Sequence, residues 1–337
     1  MGIKSHLRGP LNSALKRLGF MVLDERKLYD WQKADSYTQP GYGSSKLADG
    51  AAEYLVPDNP RLVDLKTRYA AFNADVTTPS VWTDSLVNPK DLLYFRGDNA
   101  YVWQVRMMNM NPMSYALTAY YLRSVDHLGL LEKLDEDEYF GVHAFEVDGR
   151  MVSRDLLDSI SEIYFLDKHL NISLQKELSV LDIGAGYGRL AHRMTTALPN
   201  IREYICTDAV PVSTFISEYY LGFRGLDDRA TAVPLDEIDE TLSGKTIDIA
   251  VNIQSFPECR PQAIDWWLEL IARHTVRHLM IAINDAETLR TSEGRDFAAI
   301  VEKYGYKLIA KEPVYADPVV QRYAISSAWY YLYELGT

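Results

Sequence analysis

A glycine-rich turn that directly follows an apolar run is the feature that most constrains the fold of this chain. Residues 180–183 form a short apolar run typical of a buried strand, and it leads into Gly184, Gly186 and Gly188. Glycines at alternate positions allow the backbone to turn sharply and to approach a ligand with no Cβ in between. A helical pattern at residues 189–198 comes next. Such a strand–turn–helix unit is typical of sites for nucleotide-type cofactors.

The spacing of the glycines distinguishes between cofactors. A dinucleotide fingerprint reads G-x-G-x-x-G, and its last glycine would fall where this chain has Arg189. The chain instead reads G-x-G-x-G, and Asp182 lies just before it. A second apolar run, at residues 201–206, is followed by Thr207 and Asp208 about 20 residues beyond the glycines. A carboxylate at this place can bind both ribose hydroxyls. The alternative role for Asp208 is a helix N-cap, since a helical pattern begins at Pro211.

Strands and helices alternate along the following part of the chain. Apolar runs predict further strands at residues 230–234, 247–253 and 279–283. Helical patterns accompany them at residues 212–221, 261–273 and 294–304. Alternation of this kind indicates a parallel, doubly wound sheet, and continuously apolar strands fit a sheet covered on both faces.

The two ends of the chain have different patterns. Residues 307–314 and 328–335 predict two strands with no helix between them, which would form an antiparallel hairpin. Helical patterns at residues 59–74 and 112–131 precede the sheet. The predicted fold is therefore α/β: a doubly wound, Rossmann-like, seven-stranded sheet with an antiparallel C-terminal hairpin, preceded by a mainly helical N-terminal region.

The order of these elements, together with Asp182 and the three glycines, resembles the class I S-adenosylmethionine-dependent methyltransferases. The resemblance covers residues 177–337. A narrower resemblance, to a bacterial family of sugar O-methyltransferases, is carried by DIGAGYGRLAHR, NIQSFPEC and AIDWWLELIARH, and upstream by FRGDNAYVWQ and VSRDLLDS. It implies a catalytic domain at residues 146–337. Residues 1–145 are expected to form a mainly helical region for substrate binding or oligomerisation.

The resemblance implies S-adenosyl-L-methionine as the cofactor and a sugar hydroxyl of a glycoside, oligosaccharide or glycosylated metabolite as the methyl acceptor. In the family, the acid before the glycines faces the methionine amino group, and the glycines pass under the cofactor. The expected cofactor-binding residues are Asp182, Gly184, Ala185, Gly186, Tyr187, Gly188, Asp208, Asp236 and Asn252.

Methyl transfer to a sugar hydroxyl requires a general base, because the hydroxyl is a poor nucleophile at neutral pH. In open α/β sheets the ligand lies beyond the carboxyl ends of the strands. Glu258 follows the fourth predicted strand and Asp285 the fifth, while His143 lies between the two predicted regions. Histidine is best matched to proton transfer near pH 7, so the expected order is His143, Asp285, Glu258. The alternatives are a structural histidine and carboxylates that interact with helix ends.

The expected acceptor-binding residues combine aromatic rings with polar groups, because sugars offer apolar C–H faces as well as hydroxyls. They are Arg96, Tyr101, Trp103, Gln254 and Ser255. A loop that merely packs on the main domain is the alternative for the first three. Related sugar O-methyltransferases often carry a histidine at the position of Gln254, and some hold Mg²⁺. Glu258 and Asp285 could serve as its ligands here, because Mg²⁺ takes oxygen ligands. No adjacent pair of acids is present at these positions, however, so activity is expected to be independent of a metal.

Composition limits the class of partner. The net charge of −12 disfavours nucleic acid as a substrate. No apolar run approaches the roughly 20 residues needed to cross a bilayer, and no signal-peptide pattern is present. The two cysteines, Cys206 and Cys259, suit a reducing compartment. These features predict a cytoplasmic protein that acts on a small molecule.

Several alternatives stay open at this point. The first 33 residues are basic and carry apolar residues at helical spacing, which fits a helix on an anionic membrane or one docked on the protein or on a second subunit. A homodimer is therefore included among the expected partners. The acceptor could instead be a phenol or a lipid, or the chain could be a non-catalytic partner subunit. The intact Asp182, glycines and Asp208 weigh against the last alternative, and Arg189 weighs against a nicotinamide dehydrogenase.

Overall fold

The computed structural model describes residues 45–83, 86, 89–97, 112–284 and 288–336, together with position 15. The described helices are α1 Ala51–Tyr54, α2 Pro60–Ala71, α3 Ala74–Thr77, α4 Pro89–Leu93, α5 Pro112–Val125, α6 Leu130–Lys133, α7 Arg154–Leu170, α8 Arg189–Ala197, α9 Pro211–Phe223, α10 Ile238–Leu242, α11 Pro261–Arg273, α12 Ala298–Lys303 and α13 Pro318–Tyr323. The described strands are β1 Ala144–Val147, β2 Arg150–Ser153, β3 Leu178–Ile183, β4 Ile201–Thr207, β5 Ala230–Ala232, β6 Ile249–Ile253, β7 His278–Ile283, β8 Tyr306–Pro313 and β9 Trp329–Leu335. Short 3-10 turns at Ile172–Leu174, Leu235–Glu237 and Phe256–Glu258 link some of them.

The predicted sheet is confirmed. Strands β3 to β9 form one seven-stranded sheet in the order β5-β4-β3-β6-β7-β9-β8. The first five strands in this order are parallel, and β9 is antiparallel to both β7 and β8. Every residue of the central strand β3 is buried, as expected for a parallel strand between two layers of helices. The sheet thereby places the carboxyl ends of β3, β4, β6 and β7 at one edge.

Two details of the C-terminal and N-terminal predictions are wrong. A short helix, α13, lies between β8 and β9, where the sequence predicted none. Asp317 begins it, because its Oδ1 accepts hydrogen bonds from the amides of Val319 and Val320 at 2.8 and 3.2 Å. The single helix predicted at residues 112–131 is two helices, because the Asp126 carboxylate accepts the Leu130 amide at 2.7 Å and begins α6.

The N-terminal helices pack on helices that cover the sheet. Helix α2 lies against α9 through the buried side chains of Leu62, Leu65 and Tyr69. The Tyr69 hydroxyl is 2.8 Å from Thr214 Oγ1 and accepts the Leu235 amide at 2.8 Å. Helix α3 packs on α11, which brings the residues after α3 to the carboxyl edge of the sheet. The boundary between residues 145 and 146 stays a prediction.

Some predictions concern parts of the chain that are not described. The basic N-terminal segment, apart from position 15, and the loop with Tyr101 and Trp103 lie outside the described residues, as does Asp285. Of the helices in the described ranges, none combines the length and the apolar character that a membrane span requires.

Candidate active site

A cavity of about 470 Å³ opens at the carboxyl edge of the sheet, within the size range of small-ligand sites. On one side it is lined by the glycine loop and the residues after β4, including Asp182, Gly184, Gly186 and Asp208. On the other side it is lined by residues after β6 and β7 and by the segment after α3, including Gln254, Glu258, Asn284 and Trp82. We call these the glycine-loop side and the opposite side.

The glycine loop needs its glycines for two reasons. Gly184, Gly186 and Gly188 all have positive φ, at 74°, 58° and 86°, a region that side chains disfavour. A Cβ on Gly184 would also lie 2.1 Å from Ser255 Oγ and 2.3 Å from Ser255 Cβ. The Gly184 and Ala185 amides donate to the Thr207 carbonyl at 2.8 and 3.2 Å, which ties the loop to the end of β4.

Two buried carboxylates lie at the ends of β3 and β4: Asp182 is the next-to-last residue of β3, and Asp208 directly follows β4. Tyr204 donates to Asp182 Oδ2 at 2.9 Å. Asp208 accepts the Gly186 amide at Oδ2 (3.1 Å) and the Val210 amide at Oδ1 (2.8 Å). Burial raises the pKa of Asp182 to about 7 and that of Asp208 to about 6. Because a carboxylate has about four acceptor positions, Asp182 keeps capacity for ligand donors, whereas Asp208 also accepts from the Ser213 hydroxyl and the Ala209 amide.

The cavity is electronegative, because carboxylates outnumber guanidinium groups in its lining: Asp155, Asp158, Glu162, Asp182, Asp208 and Glu258 against Arg154, Arg189 and Arg260. Arg154 is paired with Asp158 at 3.1 Å, and Arg189 with Glu162 at 2.8 Å. Asp182, Asp208 and Glu258 form no salt bridge with any described residue. These carboxylates would favour a cationic ligand, and Asp208 is a cavity-lining acceptor suited to ribose hydroxyls. The chemistry of this donor set therefore fits a nucleoside that carries a positive charge.

Glu258 is the carboxylate on the opposite side. It ends the turn Phe256–Glu258 after β6, and its Oε2 accepts the indole N–H of Trp82 at 2.5 Å. Burial raises the pKa of Glu258 to about 7, and nearby Asp208 adds to the increase, although the Trp82 bond opposes it. A carboxyl group with this pKa can exchange a proton at neutral pH.

Gln254 and Asn284 face each other across the ends of β6 and β7. Gln254 Nε2 donates to Asn284 Oδ1 at 2.7 Å, and Asn284 Nδ2 donates to Gln254 Oε1 at 3.1 Å. Gln254 has a φ of 63°, which is strained for a residue with a side chain, and such strain concentrates at ligand sites. The backbone N–H of Gln254 donates to the Ala282 carbonyl at 2.9 Å, and this bond holds the backbone at that φ.

Several predicted site residues lie outside the cavity lining. Asn252 is fully buried and joins β3 to the turn after β6, since it donates to the Ile183 carbonyl at 2.9 Å and accepts the Phe256 amide at 2.8 Å. Asp236 is bound by Arg68 at 2.8 Å. His143 is buried and is not among the described residues that line the cavity.

The prediction that Arg96 faces a ligand is corrected by its burial. Its side chain is 0 % exposed, and it lies 2.5 Å from Glu136 and 2.6 Å from Asp137. Glu136 also binds Arg193 at 2.8 Å. Burial alone would raise the pKa of Glu136, but Arg193 and Arg96 outweigh burial and lower it well below its usual range. We call these four residues the buried ion cluster.

The buried ion cluster reaches the glycine loop through one tyrosine. Tyr187 lies between two of the glycines, and its hydroxyl donates to Asp155. Asp155 Oδ2 is 3.5 Å from Arg96 Nε. Tyr187 lines the cavity but is itself buried, so it connects the loop to the interior.

The sequence did not indicate the contribution of residues 76–82. They line the cavity through Val76, Thr77, Thr78, Pro79, Ser80 and Trp82. These residues carry no motif or periodicity. They reach the site through the packing of α3 on α11, which a local sequence pattern does not report. As for metals, no group of three His, Cys, Asp or Glu that could hold an ion exists within the described ranges.

The strand order and the glycine loop together define a Rossmann-like methyltransferase fold. The chain matches no protein-family model, and no curated protein matches its sequence.

Similar solved structures share low identity with this chain. A SAM-dependent methyltransferase from Aquifex aeolicus is 17% identical over 50% of this chain and 89% of its own, with a TM-score of 0.37. The magnesium protoporphyrin IX methyltransferase from Synechocystis PCC 6803, with bound SAM, is 11% identical over 66% and 97%, with a TM-score of 0.39. The [4+2]-cyclase SpnF is 15% identical over 67% and 95%, with a TM-score of 0.40.

Proposed function

We propose that this protein is an S-adenosylmethionine-dependent O-methyltransferase that acts on a sugar hydroxyl. The observation that carries the proposal is one electronegative cavity in which Asp182 and Asp208 flank the glycine loop and Glu258 lies on the opposite side. A cationic nucleoside fits the first group of residues. A general base near neutral pKa fits the second.

The glycine-loop side would hold the cofactor. Asp208 would accept hydrogen bonds from the ribose hydroxyls, and Asp182 would face the methionine ammonium group. When bound, S-adenosylmethionine supplies a methyl group on an activated sulfonium. The buried carboxylates favour this cation over the neutral product S-adenosylhomocysteine, because opposite charges attract strongly where water is excluded.

Glu258 would act as the general base. Its carboxylate would take the proton of the acceptor hydroxyl and so make that oxygen a nucleophile for in-line transfer of the methyl group, with the bond from the methyl carbon to sulfur as the bond that breaks. His143, which the sequence ranked first, is buried away from the cavity lining, and Asp285 is outside the described residues. Glu258 is therefore our first assignment.

A neutral, hydroxyl-rich acceptor fits the opposite side best. The polar residues Gln254, Asn284, Thr77 and Thr78 line it, and Trp82 adds an aromatic ring for the C–H face of a sugar. The carboxylates of the cavity and the net charge of −12 would repel an anionic acceptor or nucleic acid. In this proposal, the region 1–145 contributes to acceptor binding.

Two measurements test the proposal. Calorimetry should detect binding of S-adenosylmethionine and S-adenosylhomocysteine but not of NADH. Transfer of a labelled methyl group should then occur to a member of a glycoside panel and survive EDTA. Binding of NADH alone would reject the class, and methylation of phenols but not of glycosides would reject the acceptor. Loss of transfer in EDTA with recovery in Mg²⁺ would direct attention to Glu258 and Asp285 as ligands.

A further inference from the structure

The hydrogen bond between Trp82 and Glu258 joins two distant parts of the chain. The residues are 176 positions apart, yet the indole Nε1 lies 2.5 Å from the carboxylate Oε2. Both residues line the cavity. The contact therefore depends on how the segment after α3 is held against the sheet edge.

That segment is well anchored. Asn73 begins α3 by accepting the Asp75 amide at 3.0 Å, and Val76 is buried. Thr78 Oγ1 donates to the Ala74 carbonyl at 2.6 Å. The ring of Phe72 packs edge-on against Trp266 of α11 at 5.7 Å. Since α11 starts three residues after Glu258, the donor and the acceptor of the bond are attached to the same packed unit.

The surroundings of Glu258 make the choice of donor significant. Asp208, Cys259 and Arg260 are the ionisable groups that line the cavity beside it, and none of them is bonded to its carboxylate within the described structure. Trp82 is the described side chain that donates to it. An indole N–H donates but carries no charge and cannot itself titrate. It fixes a carboxylate while removing less of its basicity than a lysine or arginine would.

We propose that Trp82 is a positioning residue that holds Glu258 in the orientation in which it accepts the proton of the methyl acceptor. This inference rests on the proposed function. It makes residues 76–82 a part of the acceptor site and explains why an aromatic residue from the helical region reaches the edge of the sheet. Oε1 accepts no hydrogen bond from a described residue and is the oxygen left for the acceptor.

Indole NMR tests the contact without any acceptor. The chain has six tryptophans, and the Trp82 resonance is the ¹⁵N–¹H indole signal missing from Trp82→Phe. It should move as Glu258 ionises, with a midpoint near neutral pH, and stop moving in Glu258→Gln. Trp329→Phe, a change in β9, is the control and should keep the titrating signal. A Trp82 signal that does not titrate, or that titrates equally in Glu258→Gln, would overturn the inference, and Glu258→Gln decides this even if Trp82→Phe folds poorly.

Kinetics tests the role. Trp82→Phe should lower kcat by about tenfold to a hundredfold and leave the Kd of S-adenosylmethionine unchanged. The acidic limb of its pH–rate profile should move to higher pH, because the lost bond stabilises the ionised carboxylate. Unchanged kcat and pH profile would contradict the positioning role. Failure of the wild type to bind S-adenosylmethionine would reject the proposed function instead, while the NMR titration would still decide on the contact.

Discussion

The two sides of the cavity are built in different ways. The glycine-loop side comes from consecutive strand–turn units, and the interval from Asp182 to Asp208 contains its main residues. The opposite side is assembled from the ends of β6 and β7 and from a helical segment more than a hundred residues upstream, since Trp82 and Glu258 are 176 positions apart. A local unit can be specified by a short motif. A site assembled by tertiary packing leaves no such motif in the sequence.

The strongest test of this comparison removes the proposed base. Glu258→Gln should lower kcat by about 10²–10⁴-fold, because the amide cannot take the acceptor proton. The Kd of S-adenosylmethionine should stay nearly constant, since the change is on the opposite side. Steady-state kinetics with the best glycoside and calorimetry measure the two quantities. A parallel loss of cofactor affinity would mean that the two sides do not act separately.

The next test changes the glycine loop. Gly184→Ala should lower the free energy of unfolding by about 2–4 kcal/mol, because the new Cβ has a strained φ and collides with Ser255. Gly225→Ala is the matched control, since Gly225 has a φ of 65° but no atom within 4 Å of the added Cβ. Ser255→Gly added to Gly184→Ala should recover part of the loss in a urea titration. Equal losses for the two alanine variants would show that the contact with Ser255 is unimportant.

A smaller effect is expected from the carboxylate after β4. Asp208→Ala should weaken binding of S-adenosylmethionine by about 1–3 kcal/mol, the usual value of lost charge-assisted hydrogen bonds. Asp236→Ala is a suitable control, because Asp236 is bound by Arg68 outside the cavity lining. Calorimetry that gave the same Kd for Asp208→Ala and wild type would remove Asp208 from the cofactor site.

The smallest expected effect is the pH dependence of cofactor binding. The pKa of Asp182 is raised to about 7 and that of Asp208 to about 6 by burial, so both are partly protonated in mildly acidic solution. A cation binds the ionised forms more tightly than the protonated forms, so affinity for S-adenosylmethionine should rise by about tenfold between about pH 5.5 and 7.5, and binding should release protons. Calorimetry in buffers of different ionisation enthalpy measures this release. Affinity that is constant with pH, or that falls as pH rises, would contradict the assignment of these carboxylates.

The same contrast explains how much could be predicted from the sequence. The sheet, its antiparallel end and the places of Asp182 and Asp208 followed from local apolar runs and glycine spacing. The fold of residues 76–82 over the cavity did not, because no local pattern reports the packing of α3 on α11. Arg96 shows the opposite error: its polar and aromatic neighbours resembled a ligand-binding loop, but its charge is compensated in the interior by Glu136 and Asp137. Gln254 was named, but its positive φ and its partner Asn284 depend on the meeting of two strand ends.

The buried ion cluster opposes partial unfolding of the molecule. Arg96, Glu136 and Arg193 come from three separate stretches of chain and share their charges at 2.5 and 2.8 Å. If one stretch detached, the others would retain an uncompensated buried charge, at a cost of about 3–5 kcal/mol. Partial unfolding of the helical region is therefore suppressed, and the loop that carries Tyr187 belongs to the same cooperative unit through Asp155. The backbone amides of the glycine loop should therefore exchange hydrogen with solvent at the rate at which the whole unit unfolds, which is slower than the rate of an ordinary surface loop.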